Sequence, residues 1–216
     1  MGRWNELIGV ATTWKQLEGA HSPEPDLAIA QARMNMRDYR GGLAVLRPWV
    51  DTARASPDAP MSLPVLNIQA RLLLASGQEP QARELLQPLI AKSADVRTAV
   101  WIRTAAEAVP SASIAQSWLT IAREHIPADA EAEHVAVAAA LSTVASRFPD
   151  QSASLLAEAR SLLTSLTSRP TPVSAATWEA LGMVCHRERD SAAAKSAYER
   201  ALALEPNRPV SLNNMA

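Results

Sequence analysis

The 216-residue sequence is poor in several residue types. It has one cysteine, one phenylalanine and two tyrosines, and aromatic residues make up only 4% of it. A lone thiol, Cys185, excludes an intrachain disulfide and a cysteine-based zinc site, each of which needs more than one sulfur. This suits a reducing compartment and is equally compatible with the periplasm. Tyr, Phe, Val and Ile are too sparse to suggest strands. No charge of one sign prevails: the formal net charge is −1 and no Lys/Arg-rich block occurs. General electrostatic attraction to nucleic acid or anionic membrane is therefore not expected. No apolar run reaches the roughly eighteen residues that a membrane-spanning helix needs. At the N-terminus Asn5, Glu6, Thr12, Thr13 and Lys15 interrupt any continuous apolar core of a signal peptide. The seven glycines form no phosphate-cradling loop. His21, His125, His134 and His186 lack metal-ligand spacing. The expectation is a soluble chain, cytoplasmic or periplasmic, with no catalytic residue, no cofactor and no metal site.

What the sequence does have is Ala and Leu in abundance, 48% hydrophobic residues and 20% charged ones. That composition favours helices and allows a substantial core. Trp4, Leu7, Ile8, Ala11 and Trp14 recur at three- and four-residue steps, which predicts a helix over 3–19. Paired helical runs follow over 23–56, 63–96, 96–129 and 130–168. Pro48 is expected to kink or shorten its helix, and 51–62, carrying Pro57 and Pro60, reads as a loop. Asp150 is expected to cap the second helix of the fourth pair. The count is about eleven helices plus the start of another at 209–216, and no strand.

Residues 175–208 carry the most specific signal. Trp178-x2-Leu181-Gly182 is followed by Cys185, Ala194, Tyr198, Ala201 and Pro206. This resembles the tetratricopeptide repeat (TPR) pattern W-x2-L-G-x2-Y, A-x3-F, P, which has a period of about 34 residues. Cys185 stands where Tyr is usual and Tyr198 where Phe is usual. Leu212 lies one period after Trp178, so 209–216 resembles the opening of a further, truncated repeat, and the chain is expected to be part of something longer. Upstream, Leu66, Ala70, Leu73, Ala82 and Leu86 match at the same offsets, as do Ala115, Leu119, Ala122 and Pro127. Arg103 falls where Gly182 would.

The resemblance implies a single all-α array over 1–216, a right-handed α-solenoid of antiparallel helical hairpins. It also implies that the motif residues serve packing. Small Gly182, Ala194 and Ala201 let backbones approach, and large Trp178, Leu181 and Tyr198 fill the space between helices. Cys185 is expected to be a buried, inert thiol. The charged stretch 186–190 reads as a solvated helix end and turn. In the family the first helix of each hairpin lines a concave groove for a peptide or helix. By spacing, the candidate partner-binding residues are Asn67, Arg71, Arg97, Thr104, Glu179, Met183, His186 and Asn213, with Leu74 and Val100 on the same faces.

A clamp on a C-terminal carboxylate, as in TPR co-chaperones, calls for an inner Lys that this chain lacks; only Asn67, Arg71 and Arg97 sit in about the required places. The implied function is a non-catalytic protein–protein interaction scaffold of bacterial type. The phrase ALALEPNRPVSLNNMA resembles arrays in bacterial assembly and envelope systems, including exopolysaccharide export. The alternative is the substrate-recruiting arm of a larger enzyme such as a glycosyltransferase. The half-hairpin at the C-terminus is expected to leave an apolar face that pairs with a second copy.

Overall fold

The computed structural model describes residues 2–18, 22–57, 59–90 and 96–215; within these, the side chains of residues 18, 88–90 and 96–101 lie outside the description. The described residues are all-helical. Twelve α-helices follow one another: α1 (Gly2–Glu18), α2 (Glu24–Asn35), α3 (Tyr39–Ala55), α4 (Ser62–Ala75), α5 (Glu79–Ile90), α6 (Val96–Ala108), α7 (Ala112–Glu124), α8 (Glu131–Arg147), α9 (Ser152–Thr167), α10 (Ala175–Arg187), α11 (Ser191–Leu204) and α12 (Pro209–Met215). They form two compact units, Met1–Ser93 with Ala108–Pro110, and Ala94–Glu107 with Ser111–Ala216.

In the first unit each helix packs on the next, and α2 also touches α4. Ala30, Leu46, Leu66, Ala70, Leu72 and Leu74 are fully buried at the centre. Gly42 is required there, because a Cβ would sit 2.8 Å from Leu72 Cδ2. Asp26 is 1% exposed, yet fully partnered. Lys15 Nζ donates to its two oxygens at 2.8 and 2.7 Å, and Trp49 Nε1 donates to Oδ2 at 2.8 Å. One carboxylate thus ties α1, α2 and α3 together, since an unpartnered charge at that depth would be costly.

Two sequence expectations change here. Helix α3 runs through Pro48 to Ala55, so 51–55 is helix rather than loop. Pro48 and Ala44 are both exposed, which leaves the carbonyl freed by the proline to solvent. Ala53 is buried, which rewards continuing the helix. Asp150 lies inside a single 3₁₀ turn, Pro149–Gln151, and Gln151 precedes α9 without a side-chain cap.

Three hairpin turns share one geometry. Arg37, Gly77 and Arg189 adopt φ of 62°, 78° and 64°. Each is followed by a residue whose N–H bonds back to a carbonyl in the preceding helix: Asp38 to Arg33, Gln78 to Leu73 and Asp190 to Cys185. This is the left-handed helix terminus that glycine favours, here reached twice by arginine. Asp38 and Asp190 then cap the next helix, accepting from the N–H groups of Gly41 and Ala193.

In the second unit α8 pairs with α9, α10 with α11, and α12 packs on α11. The first helices of these pairs also meet: α8 touches α10, and α10 touches α12. Tyr198 is 1% exposed and packs with Cys185, Ala194 and Leu181. Gly182 faces its ring, where a Cβ would stand 2.5 Å from Cε1. Trp178 and Leu181 are half-buried rather than fully enclosed.

Candidate interaction surface

Helices α8 and α10 lie side by side, and polar side chains join them at both ends. At the start of α8, Glu131 accepts from the N–H of Ser174 at 2.9 Å, from its Oγ at 2.6 Å, and from the Thr177 hydroxyl. Desolvation pushes the Glu131 carboxyl up, but these bonds and nearby Arg169 outweigh it and hold the group below its ordinary value. At the other end Arg187 Nη1 donates to the Ser142 carbonyl at 2.6 Å and to Ser146 Oγ at 2.7 Å. The same move recurs elsewhere. Arg147 of α8 donates to the Ala106 carbonyl of α6 at 2.8 Å, and Arg71 of α4 reaches Gln31 Oε1 of α2 at 3.4 Å.

Between the two ends the facing side chains stop short. Ala139, Ser142 and Thr143 form one face of α8; Ala180, Met183, Val184 and Arg187 form one face of α10. With Leu163 of α9 beneath them, they enclose an open depression of about 150 Å³. Leu163 and Val184 are buried and make its floor. Met183, 42% exposed, and Arg187 stand at its rim. The depression exists because alanine and serine occupy facing positions where larger residues would close it.

The expected site residues separate when placed on this frame. Met183 lines the depression, and His186 is exposed beside it on α10. Asn213 is exposed on α12. Asn67 and Arg71 are half-buried on α4 in the first unit, each already engaged in an interaction within the protein. Three assignments need correction. Thr104 is fully buried and engaged within the fold, so it offers no surface. Leu74 is also fully buried, turned into the core of the first unit. Glu179 is committed internally: Arg208 Nε and Nη2 donate to its two oxygens at 3.1 and 2.8 Å, and Ser211 Oγ donates at 2.8 Å. The Arg208 bonds, against desolvation and with help from Ser211, hold the Glu179 carboxyl below its ordinary value. The side chains of Arg97 and Val100 lie outside the described residues.

The stretch 186–190 is also more than a solvated helix end. Arg160 of α9 donates to Glu188 and Asp190, both at 2.9 Å, fastening the turn to the preceding hairpin. Arg187 reaches α8, and no simple spacing rule exposes that role. Ala139, Thr143, Ala180 and Arg187 were all missed from sequence. On α10 the depression is lined by positions 180, 183, 184 and 187, a slight rotation from the face through 179, 183 and 186.

Burial pushes the Cys185 thiol up, making the thiolate scarce at neutral pH. Burial lowers the His134 imidazole and favours its neutral form; its Nε2 lies 3.1 Å from the Pro127 carbonyl. No cluster of three or more His, Cys, Asp or Glu is placed to hold a metal ion among the described residues. No helix among them is long and apolar enough to cross a membrane.

No family model matches the sequence, and no curated protein matches it. Among solved structures the chain is similar to a tetratricopeptide repeat protein from Parabacteroides merdae ATCC 43184. The match covers 99% of this chain and 91% of that one, with 12% identity and a TM-score of 0.39.

Proposed function

We propose that this chain is a non-catalytic scaffold for protein–protein interaction, built as a right-handed array of TPR-like hairpins across 1–216. The observation that carries the reading is the repeated turn at Arg37, Gly77 and Arg189, each joining two helices in the same way. Contact of alternate helices, α2 with α4, α8 with α10 and α10 with α12, supports it. A hairpin of this kind cannot bury its apolar face alone, and stacking of neighbours supplies the core. The row of first helices then offers a peptide- or helix-binding face that includes Met183, His186 and Asn213. Asn67, Arg71 and Arg97 extend the assignment upstream, and Glu179 contributes by holding α12 in place.

The sequence resemblance supports a bacterial assembly or envelope setting, with exopolysaccharide export as its specific form. Exposed Leu204, Val210, Leu212 and Met215 support self-association through the C-terminal end. A photo-crosslinking residue at position 183 tests the scaffold reading. A discrete protein adduct from position 183, absent when the crosslinker stands at exposed Glu199 on α11, is the expected result. Equal labelling from both positions refutes it. Sedimentation over a range of concentrations tests the dimer, and a strict monomer at high concentration refutes that part.

A further inference from the structure

The depression between α8, α9 and α10 has a chemical character of its own. Its floor is Leu163 and Val184, and its walls are Ala139, Ala180 and the backbone side of Ser142. About 150 Å³ suits one aliphatic side chain, being the size at which an apolar protein cavity accepts a benzene ring. The rim is cationic on one side only. Arg187 is pinned to α8 through Nη1, while its Nε and Nη2 have no acceptor among the described residues. A guanidinium held on one edge presents the opposite edge in a fixed direction, the arrangement that favours bidentate recognition of a carboxylate. The neighbouring carboxylates are occupied elsewhere: Glu188 and Asp190 hold Arg160, and Glu179 holds Arg208. Arg187 is the charged side chain that lines the depression, and no carboxylate lines it.

We propose that this depression is a subsite for an acidic peptide segment. It would take one Leu- or Met-sized side chain over Leu163 and Val184, with an adjacent Asp or Glu side chain on the free edge of Arg187. The assignment rests on the scaffold reading and specifies its partner chemistry. Charge complementarity selects an acidic side chain, and the small walls limit the apolar anchor to a single residue. Met183 at the rim adapts to the shape of that anchor, because thioether side chains repack easily.

The test uses the full chain and N-acetyl-Leu-Glu-amide, capped at both ends, titrated while backbone amide resonances are followed by NMR. Saturable shifts confined to residues 139–143 and 180–187 are expected. Replacing Glu by Gln in the probe should weaken binding about fivefold, as for one partly exposed ion pair. That preference should vanish in Arg187→Gln and be only partly retained in Arg187→Lys, which keeps the charge but not the bidentate edge, a graded response that a merely structural role for Arg187 would not produce. Ala139→Leu, at an exposed wall position, should fill the depression and abolish binding without changing resonances elsewhere. Absence of saturable shifts, equal binding of the Gln probe, or tighter binding of N-acetyl-leucine through its free carboxylate would each overturn the proposal. Should the crosslinked adduct at position 183 survive Arg187→Gln while the probe shows no binding, the scaffold reading stands and this subsite alone falls.

Discussion

Replacing Gly182 by alanine sets two effects of opposite sign against each other. Within α10, alanine is favoured over glycine by about 1 kcal/mol. Against this, the new methyl would meet the Tyr198 ring at 2.5 and 2.6 Å. The ring is 1% exposed and enclosed by Cys185, Ala194 and Leu181, so it has little room to retreat. Overpacking of this kind costs about 1–3 kcal/mol, and a rigid ring at such a distance places the cost near 3. The net expectation for Gly182→Ala is a loss of about 2 kcal/mol. Tyr198→Leu removes the ring, so adding Gly182→Ala to that variant should restore the propensity gain. Urea denaturation followed by circular dichroism gives the double-mutant cycle, and amide hydrogen exchange in α10 and α11 reports the local change. A Gly182→Ala protein as stable as the parent, or a coupling energy near zero, would refute the packing role assigned to this pair.

Acid should loosen the second unit in a specific window. The Glu179 carboxyl is held below its ordinary 4.5, so its stabilisation is complete above that value and is lost as pH falls through the lower folded value. The urea midpoint of Glu179→Gln should accordingly fall less than the parent's between pH 6 and acid; an identical acid limb would count against the latch. At the first hairpin turn, Arg37→Gly should stabilise by about 1 kcal/mol, because φ of 62° strains a side-chain-bearing residue; a lower thermal midpoint would contradict this. Asp26→Ala leaves Trp49 and Lys15 without their acceptor and should cost about 2–3 kcal/mol by urea denaturation. A neutral result would mean that water replaces the carboxylate without loss.

Much of this protein could be read from local sequence. Three- and four-residue apolar spacing gave every helix, because 3.6 residues per turn puts those positions on one face whatever the fold. Gly182 and Tyr198 were each recognisable as packing residues, one small and one large, while their direct approach emerged from the fold. The hairpin ends were approximate, and α3 overran its expected end because burial of Ala53 favours helix past an exposed proline.

The partners of polar side chains were not legible. Glu131 finds Ser174 and Thr177, Glu179 finds Arg208 and Ser211, and Arg187 finds Ser142, at separations from 29 to 46 residues. Each pairing depends on how a helix is rotated about its own axis against its neighbour, and a shift of one residue turns a side chain by about 100°. For that reason Glu179 and Thr104 looked available in sequence while the folded chain uses both internally. Arg187 and the small walls at 139 and 180, unremarkable as residues, became a depression only once α8 and α10 were set side by side. The sequence by itself determined the helices, since they arise from local periodicity and turn chemistry. Tertiary structure decided which faces remain open, since that depends on what each helix packs against.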